Sequence, residues 1–454
     1  MSSINDAGDY CKGWLGAGYH PIMMNWNENT ECCTWGGITC NHFTGDVIGI
    51  DLSCGMLRGT IHPNTTLFHL PHLQTLNLDF NKFSPSQLQR EIGGLSKSLT
   101  LLNLSYSGLT GDIPREILYL PKLVSLDLSW NYGLQIQPSV LKNLLRNFMH
   151  LKELLLSEVD ISWVLPRYLN ISNSLKALDL SNTDLQGKLP DNIFSHHYLE
   201  KLDMSNNDDM TGPRPNVNKS NNIPLKWLDL SHTNLSGEIP ESVGHLQFLN
   251  NLRLYSCGLS NQIKGPFPPP ICGMSSLYDM DISNNSFDGV LPLCLGNITS
   301  YLKFLNVKSN KLQGSFPSSL CNTSLLVSLD MSDNSFSGGI PQCFGNITSS
   351  LQMCTTGANF EWKSITRRGP TVLVQMSILE GIRSWKQPIK WDISRMVRRL
   401  PELQVLVLKS NNFHGHIEIP STTKNAFPNI RVLILSHNEF AGPLPQTFFK
   451  ILVP

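Results

Sequence analysis

The residues best suited to chemistry are acidic, and they keep one place. Asp127, Asp179, Asp203, Asp229, Asp281 and Asp330 each stand one position past a leucine or methionine of a recurring frame. Carboxylates brought close together can act as general acid and base or hold a cation. Here each aspartate recurs once per copy of the frame, so each falls on its own strand, and that regularity reads as structural. The chain has no His/Cys set at metal-ligand spacing, no nucleophile elbow and no phosphate-binding glycine loop. His196-His197 reads as a solvated turn. No catalytic residue, metal ligand or cofactor is expected, and the chain is not read as an enzyme.

A second set of side chains suits recognition. Four positions past the frame leucine, three consecutive copies present Phe80, Tyr106 and Trp130, and the next presents Glu158. Farther along, the same face is expected to offer Trp227, Arg253, Tyr255 and Phe304. On stacked strands these side chains would form a column on the concave surface, where clustered exposed aromatics serve as binding anchors. The other reading is a ladder of rings that stack on one another and stiffen the sheet. Asn103 lies beside the column, and a glycan there would obstruct it.

The frame that must position these residues is clearest in Leu225-Lys226-Trp227-Leu228-Asp229-Leu230, continuing through Asn234-Leu235-Ser236-Gly237-Glu238-Ile239-Pro240. Its middle leucine or substitute recurs at Ile50, Leu76, Leu102, Leu126, Leu154, Leu178, Leu202, Leu228, Leu252, Met280, Leu305, Leu329, Leu406 and Leu433. Steps are 24 to 28 residues except for one of 77, between Leu329 and Leu406. A period in that range predicts a leucine-rich-repeat solenoid, each copy a short strand plus a return segment. The long step is expected to hold two degenerate copies, around Leu351–Cys354 and Leu379–Ile382. The fold class is therefore an α/β solenoid of about 16 coils, 14 clear and two degenerate, with a parallel sheet on its concave face and a disulfide-tied N-terminal cap. At a strand spacing of ~4.8 Å the inner arc would run roughly 75 Å. Asparagines such as Asn81, Asn131, Asn207, Asn285, Asn310, Asn334, Asn411 and Asn438 are expected to satisfy backbone groups left open by the turn.

Composition narrows the setting. Lys plus Arg and Asp plus Glu both total 35 in 454 residues, so no basic field favours nucleic acid. No apolar run is long enough to span a bilayer, and no signal peptide is visible. Eleven cysteines and nine sequons (Asn64, Asn103, Asn170, Asn218, Asn234, Asn284, Asn297, Asn322 and Asn346) point instead to the secretory pathway. Cys272 and Cys294 are 22 residues apart, as are Cys321 and Cys343, and each pair should meet on neighbouring coils as a disulfide. The alternative is thiols buried in the stack.

Cys32-Cys33-Thr34-Trp35-Gly36-Gly37-Ile38-Thr39-Cys40 and the Gly-x-Ile-Pro repeat ending resemble the plant extracellular leucine-rich-repeat receptors. The closest likeness is to the receptor-like proteins, which lack a kinase domain. It covers about 26–354 and 400–449. The resemblance implies a type I membrane protein that perceives a ligand at the extracellular face of the plasma membrane or in the apoplast, with an immunity role. It would signal through a partner receptor kinase. It also implies that Cys11 stands in for the usual partner of Cys32, leaving Cys33 for Cys40. Residues 1–25 depart from the family cap, 26–46 match it, and 47–353 and 401–454 carry repeats. Residues 354–400 nearly lose the frame and are basic and aromatic, with Trp362, Trp385 and Trp391. They read either as decayed repeats or as an insertion. The family's signal peptide, island and membrane helix are not seen, so the chain is expected to be truncated at both ends.

The expected function is an extracellular solenoid that binds a peptide, protein or elicitor on its concave face, without itself entering a membrane or binding nucleic acid. Two alternatives are a secreted inhibitor resembling the polygalacturonase-inhibiting proteins, and a truncated product without function.

Overall fold

A computed structural model of the chain describes residues 11, 23, 26–84, 86–212, 223–239, 241–257, 263–267, 269–295, 301–339, 402–416 and 431–442. They fall into two compact units, Met1–Phe287 and Asp288–Pro454. In the first, the leucine frame becomes a ladder of parallel strands, most of them three residues long. Thr75–Asn77, Leu101–Asn103 and Ser125–Asp127 are typical. The register has no offset: Ile50 faces Leu76, Leu76 faces Leu102, Leu102 faces Leu126, and so on to Leu252 and Met280. The three frame leucines of one copy, Leu99, Leu102 and Leu104, are each no more than 2% exposed. Every coil thus adds its leucines to one apolar column that no single copy could close.

Return segments absorb the variation in step length. Most carry a short 3-10 turn, such as Arg115–Tyr119 or Glu241–His245. The 28-residue step from Leu126 to Leu154 instead holds an α-helix, Pro138–Asn147, with proline in its first turn and Val140, Leu141, Leu144 and Leu145 buried. Beyond the turns, second short strands pair in parallel on the flank, including Gly187–Lys188, Asn207–Gly212 and Thr233–Leu235. Gly187 has φ +88°, and a Cβ there would come within 3.0 Å of Val164 Cγ1. The Gly-x-Leu-Pro bend therefore needs glycine at that position.

In the second unit Leu305 faces Leu329, Leu329 faces Leu406, and Leu406 faces Leu433. The 77-residue step is thus one step of the ladder, and the expected two degenerate coils do not stand between these strands. Among the described residues the ladder holds the 14 clear copies. Residues 340–401 lie outside the described residues, and with them the reading of 354–400. Phe336, Phe413 and Phe440 follow one another on successive coils, with ring centroids 6.2 and 6.5 Å apart and near-parallel planes.

The cap is a strand, Ile38–Cys40, antiparallel to Val47–Asp51, with Trp26 stacked on Trp35 at 4.9 Å. Cys33 is bonded to Cys40. The expected Cys11–Cys32 bond is not formed. Cys11, 1% exposed, is bonded to Cys54 on the turn after the first repeat strand, and Cys32 carries a free thiol. The N-terminal tether therefore grips the open end of the repeat column rather than the cap turn. Cys272 and Cys294 are both disulfide-bonded. Cys343 and the side chain of Cys321 lie outside the described residues.

Candidate recognition face

The recurring aspartates close turns. Ser129 donates both its backbone N–H (3.0 Å) and its hydroxyl (2.6 Å) to Asp127 Oδ1. Ser181 on Asp179, Ser205 on Asp203, Ser283 on Asp281 and Ser332 on Asp330 repeat that geometry. Asn103 serves the same purpose for the Ser105 N–H. An Asx side chain bonding the backbone two residues on stops the strand and starts the turn.

One residue past that serine pair, the backbone of every copy enters the left-handed region. Phe80 has φ +51°, Tyr106 +50°, Trp130 +59° and Glu158 +65°; Asn182, Asn206, His232 and Ser256 follow in the same slot. The aromatic column therefore lies on the turns that follow the strands and not on the strands themselves, which corrects the expected placement. Asparagine accepts this conformation readily, whereas a bulky side chain adopts it at a cost. Stacking offsets that cost: Phe80 and Tyr106 lie 4.6 Å apart and Tyr106 and Trp130 4.9 Å, with interplanar angles of 14° and 12°. Tyr132 meets Trp130 edge-on. Tyr106 is stacked on both of its neighbours, and all three rings are half-buried.

The strands themselves carry a different cluster. Trp227 lies between two cations on neighbouring strands, with the Arg253 guanidinium 5.0 Å and the Lys201 Nζ 5.9 Å from its ring. Arg253 is held by Asp279 at 2.7 Å, and Lys201 by Asp179 at 2.9 Å. Tyr255 packs edge-on against His232 at 4.9 Å. Lys201 and Asp279 were not among the expected site residues. Their signal was the position before each middle leucine, which reads Lys201, Trp227, Asn251 and Asp279 on successive copies. Phe304, in the second unit, is half-buried in its strand.

Electrostatics set this face apart. Asp179, Asp203 and Asp229 are direct partners in the sheet register. Burial, with Asp179 and Asp229 beside it, raises the Asp203 carboxyl to about 8. Burial likewise raises Asp229 and Asp127. At the cap end, burial and the charges of Asp51 and Asp127 bring Asp79 to about 6. Burial and the nearby Asp229 and Asp281 hold the Tyr255 phenol at about 12. The face is an array of carboxylates with two cations embedded in it, suited to noncovalent recognition.

Of the sequons, Asn64, Asn170 and Asn284 are exposed. Asn103 and Asn234 are half-buried within strands, and Asn103 also donates to Asp79. Asn218, Asn297 and Asn346 and the side chain of Asn322 lie outside the described residues.

Strand ladder, Asx turns and repeating frame together define a leucine-rich-repeat protein. The Leucine Rich Repeat family model matches residues 174–196, 224–246, 301–323 and 325–347, and a second Leucine Rich repeat model matches 69–86. The chain is related in sequence to plant receptor-like proteins. It is 43% identical over 153 residues to Receptor-like protein 6 of Arabidopsis thaliana, covering 32% of this chain and 15% of that protein. It is 36% identical over 170 residues to Receptor-like protein Cf-9 of Solanum pimpinellifolium, covering 37% and 20%. The matched stretch thus spans a fifth or less of these relatives. Among solved structures, the TDR receptor aligns with a TM-score of 0.61 at 21% identity, over 88% of this chain and 61% of that one. The Arabidopsis receptor kinase HAESA, solved with the peptide hormone IDA and the co-receptor SERK1, aligns at 0.56 and 24%, over 88% and 63%. A leucine-rich-repeat protein of Leptospira interrogans aligns at 0.54 and 21%, over 88% and 92%, so these likenesses carry the fold alone.

Proposed function

We propose that this solenoid is the ligand-recognition part of a plant receptor-like protein, displayed outside the cell, and that it binds an extended peptide across its concave strands. The observation that carries this reading is the Lys201–Trp227–Arg253–Asp279 cluster on the strands of a chain related to receptor-like proteins. Arginine and tryptophan at the centre of a surface are the residue types that most often dominate binding energy. Salt-bridged cations held against an aromatic face are already positioned, so a ligand that joins them orders little else. The turn column is assigned to stiffening the sheet. Signalling would pass to a partner receptor kinase, by analogy with the HAESA complex and its co-receptor. Asn64, Asn170 and Asn284 are the proposed glycan acceptors.

The test is to pan a displayed library of random peptides against the secreted chain and counter-screen with Trp227→Ala. Peptides that bind the parent chain and not the variant are the expected result. A library that yields no binder, or only binders indifferent to Trp227→Ala, would remove this face from consideration.

A further inference from the structure

The cap holds three sulfur atoms, those of Cys32, Cys33 and Cys40, all within 4.8 Å of one another. Two of them form the Cys33–Cys40 disulfide, and the third is a free thiol. With two of its three sulfurs bonded to each other, the trio has one thiol to offer and is no metal site in this state. A thiol beside a disulfide can exchange with it once its sulfur swings into line with the S–S bond. Cys32 opens the Cys32–Thr34 turn and is half-buried, while Cys33, next in the chain, is exposed.

We propose that Cys32 is an exchange-active cysteine that opens the Cys33–Cys40 bridge. The Cys32 thiol gives its proton to solvent, and its sulfur attacks Cys40 Sγ. The Cys32–Cys40 bond forms as the Cys33–Cys40 bond breaks, and Cys33 leaves as a thiolate that takes a proton from solvent. No electron is gained or lost, so no external oxidant or reductant is consumed. The new loop is one residue longer than the old, a small change for a cap tied by the short Ile38–Cys40 strand pairing. The step moves the free thiol from a half-buried to an exposed position. The cap would then present a thiol to disulfides outside the molecule. Because the thiolate is the attacking species, the rate should rise with pH.

The experiment incubates the full chain at pH 8 without reductant, pulses it with iodoacetamide at successive times and maps the label by peptide mass spectrometry. Label on Cys32 from the first pulse, label on Cys33 that grows with incubation, and a Cys32–Cys40 cross-linked peptide are expected. In Cys32→Ser the Cys33 label should be lost. Label confined to Cys32 at every time would overturn the proposal. So would Cys33 label that appears equally in Cys32→Ser, since the bridge would then be opening by another route.

Discussion

At the residue scale, the asparagine slot shows how much of a coil hangs on one amide. Asn131 Nδ2 donates to the carbonyls of Leu104, Leu128 and Ser129, and its Oδ1 accepts from the N–H groups of Ser107 and Leu109. Asn131→Ala leaves these buried groups unpaired and should cost roughly 2–4 kcal/mol in chemical denaturation. Asn131→Thr should cost less, because Thr183 and Thr233 already fill this slot. Asp203 gives a pH-dependent case. Its carboxyl titrates at about 8 in the fold against 3.8 for the ordinary group, so between those values the native state holds a proton that the unfolded chain has released. Native stability from this group therefore falls as pH rises from about 4 to 8. Asp203→Asn keeps the acceptor for Ser205 and should raise the melting temperature by a few degrees at pH 8, on the order of 1–2 kcal/mol, with the gain gone at pH 4. An equal gain at both pH values would contradict the assignment of the raised carboxyl. The aspartates' structural role was legible from their spacing. Their raised titration was not, because it depends on three strands bringing Asp179, Asp203 and Asp229 side by side.

At the scale of the element, the leucine spacing was sufficient to place the strands of the main ladder, since a period-two frame leaves only one face to bury, but not the cap strand or the second strands on the flank. It did not place the aromatic column. The position four past the leucine was read as part of a strand, but the Asx turn at the position one past it has already ended the strand. That turn chemistry was present in the Asp-x-Ser spelling of the sequence. The salt-bridged Trp227 cluster was half legible: its aromatic and Arg253 were named, while Lys201 and Asp279 became partners only through the register. If the column is a ladder rather than a docking site, its rings should be coupled. A double-mutant cycle on Phe80→Ala and Tyr106→Ala should give about 0.5–1.5 kcal/mol of interaction energy in unfolding measurements. Additivity of the two changes would argue against a stiffening role.

At the scale of the whole molecule, a repeat ladder divides its surface by function, with leucines inward, turn ladders along the edge and a variable strand face. Glycans follow the same division. Expressed through a plant secretory pathway, the chain should carry N-glycans at the exposed Asn64, Asn170 and Asn284 and none at Asn103, whose amide is engaged on the strand face. Glycopeptide mass spectrometry reads this directly, and a glycan at Asn103 would contradict the division. The account's central claim is that the strand cluster, and not the turn column, does the recognising. The most direct test is calorimetric titration of a peptide selected on the parent chain into Arg253→Ala and Tyr106→Ala. The account predicts at least about a tenfold loss of affinity in Arg253→Ala, some 1.4 kcal/mol, and little change in Tyr106→Ala. Loss in Tyr106→Ala with Arg253→Ala unaffected would contradict it and move recognition to the stacked rings.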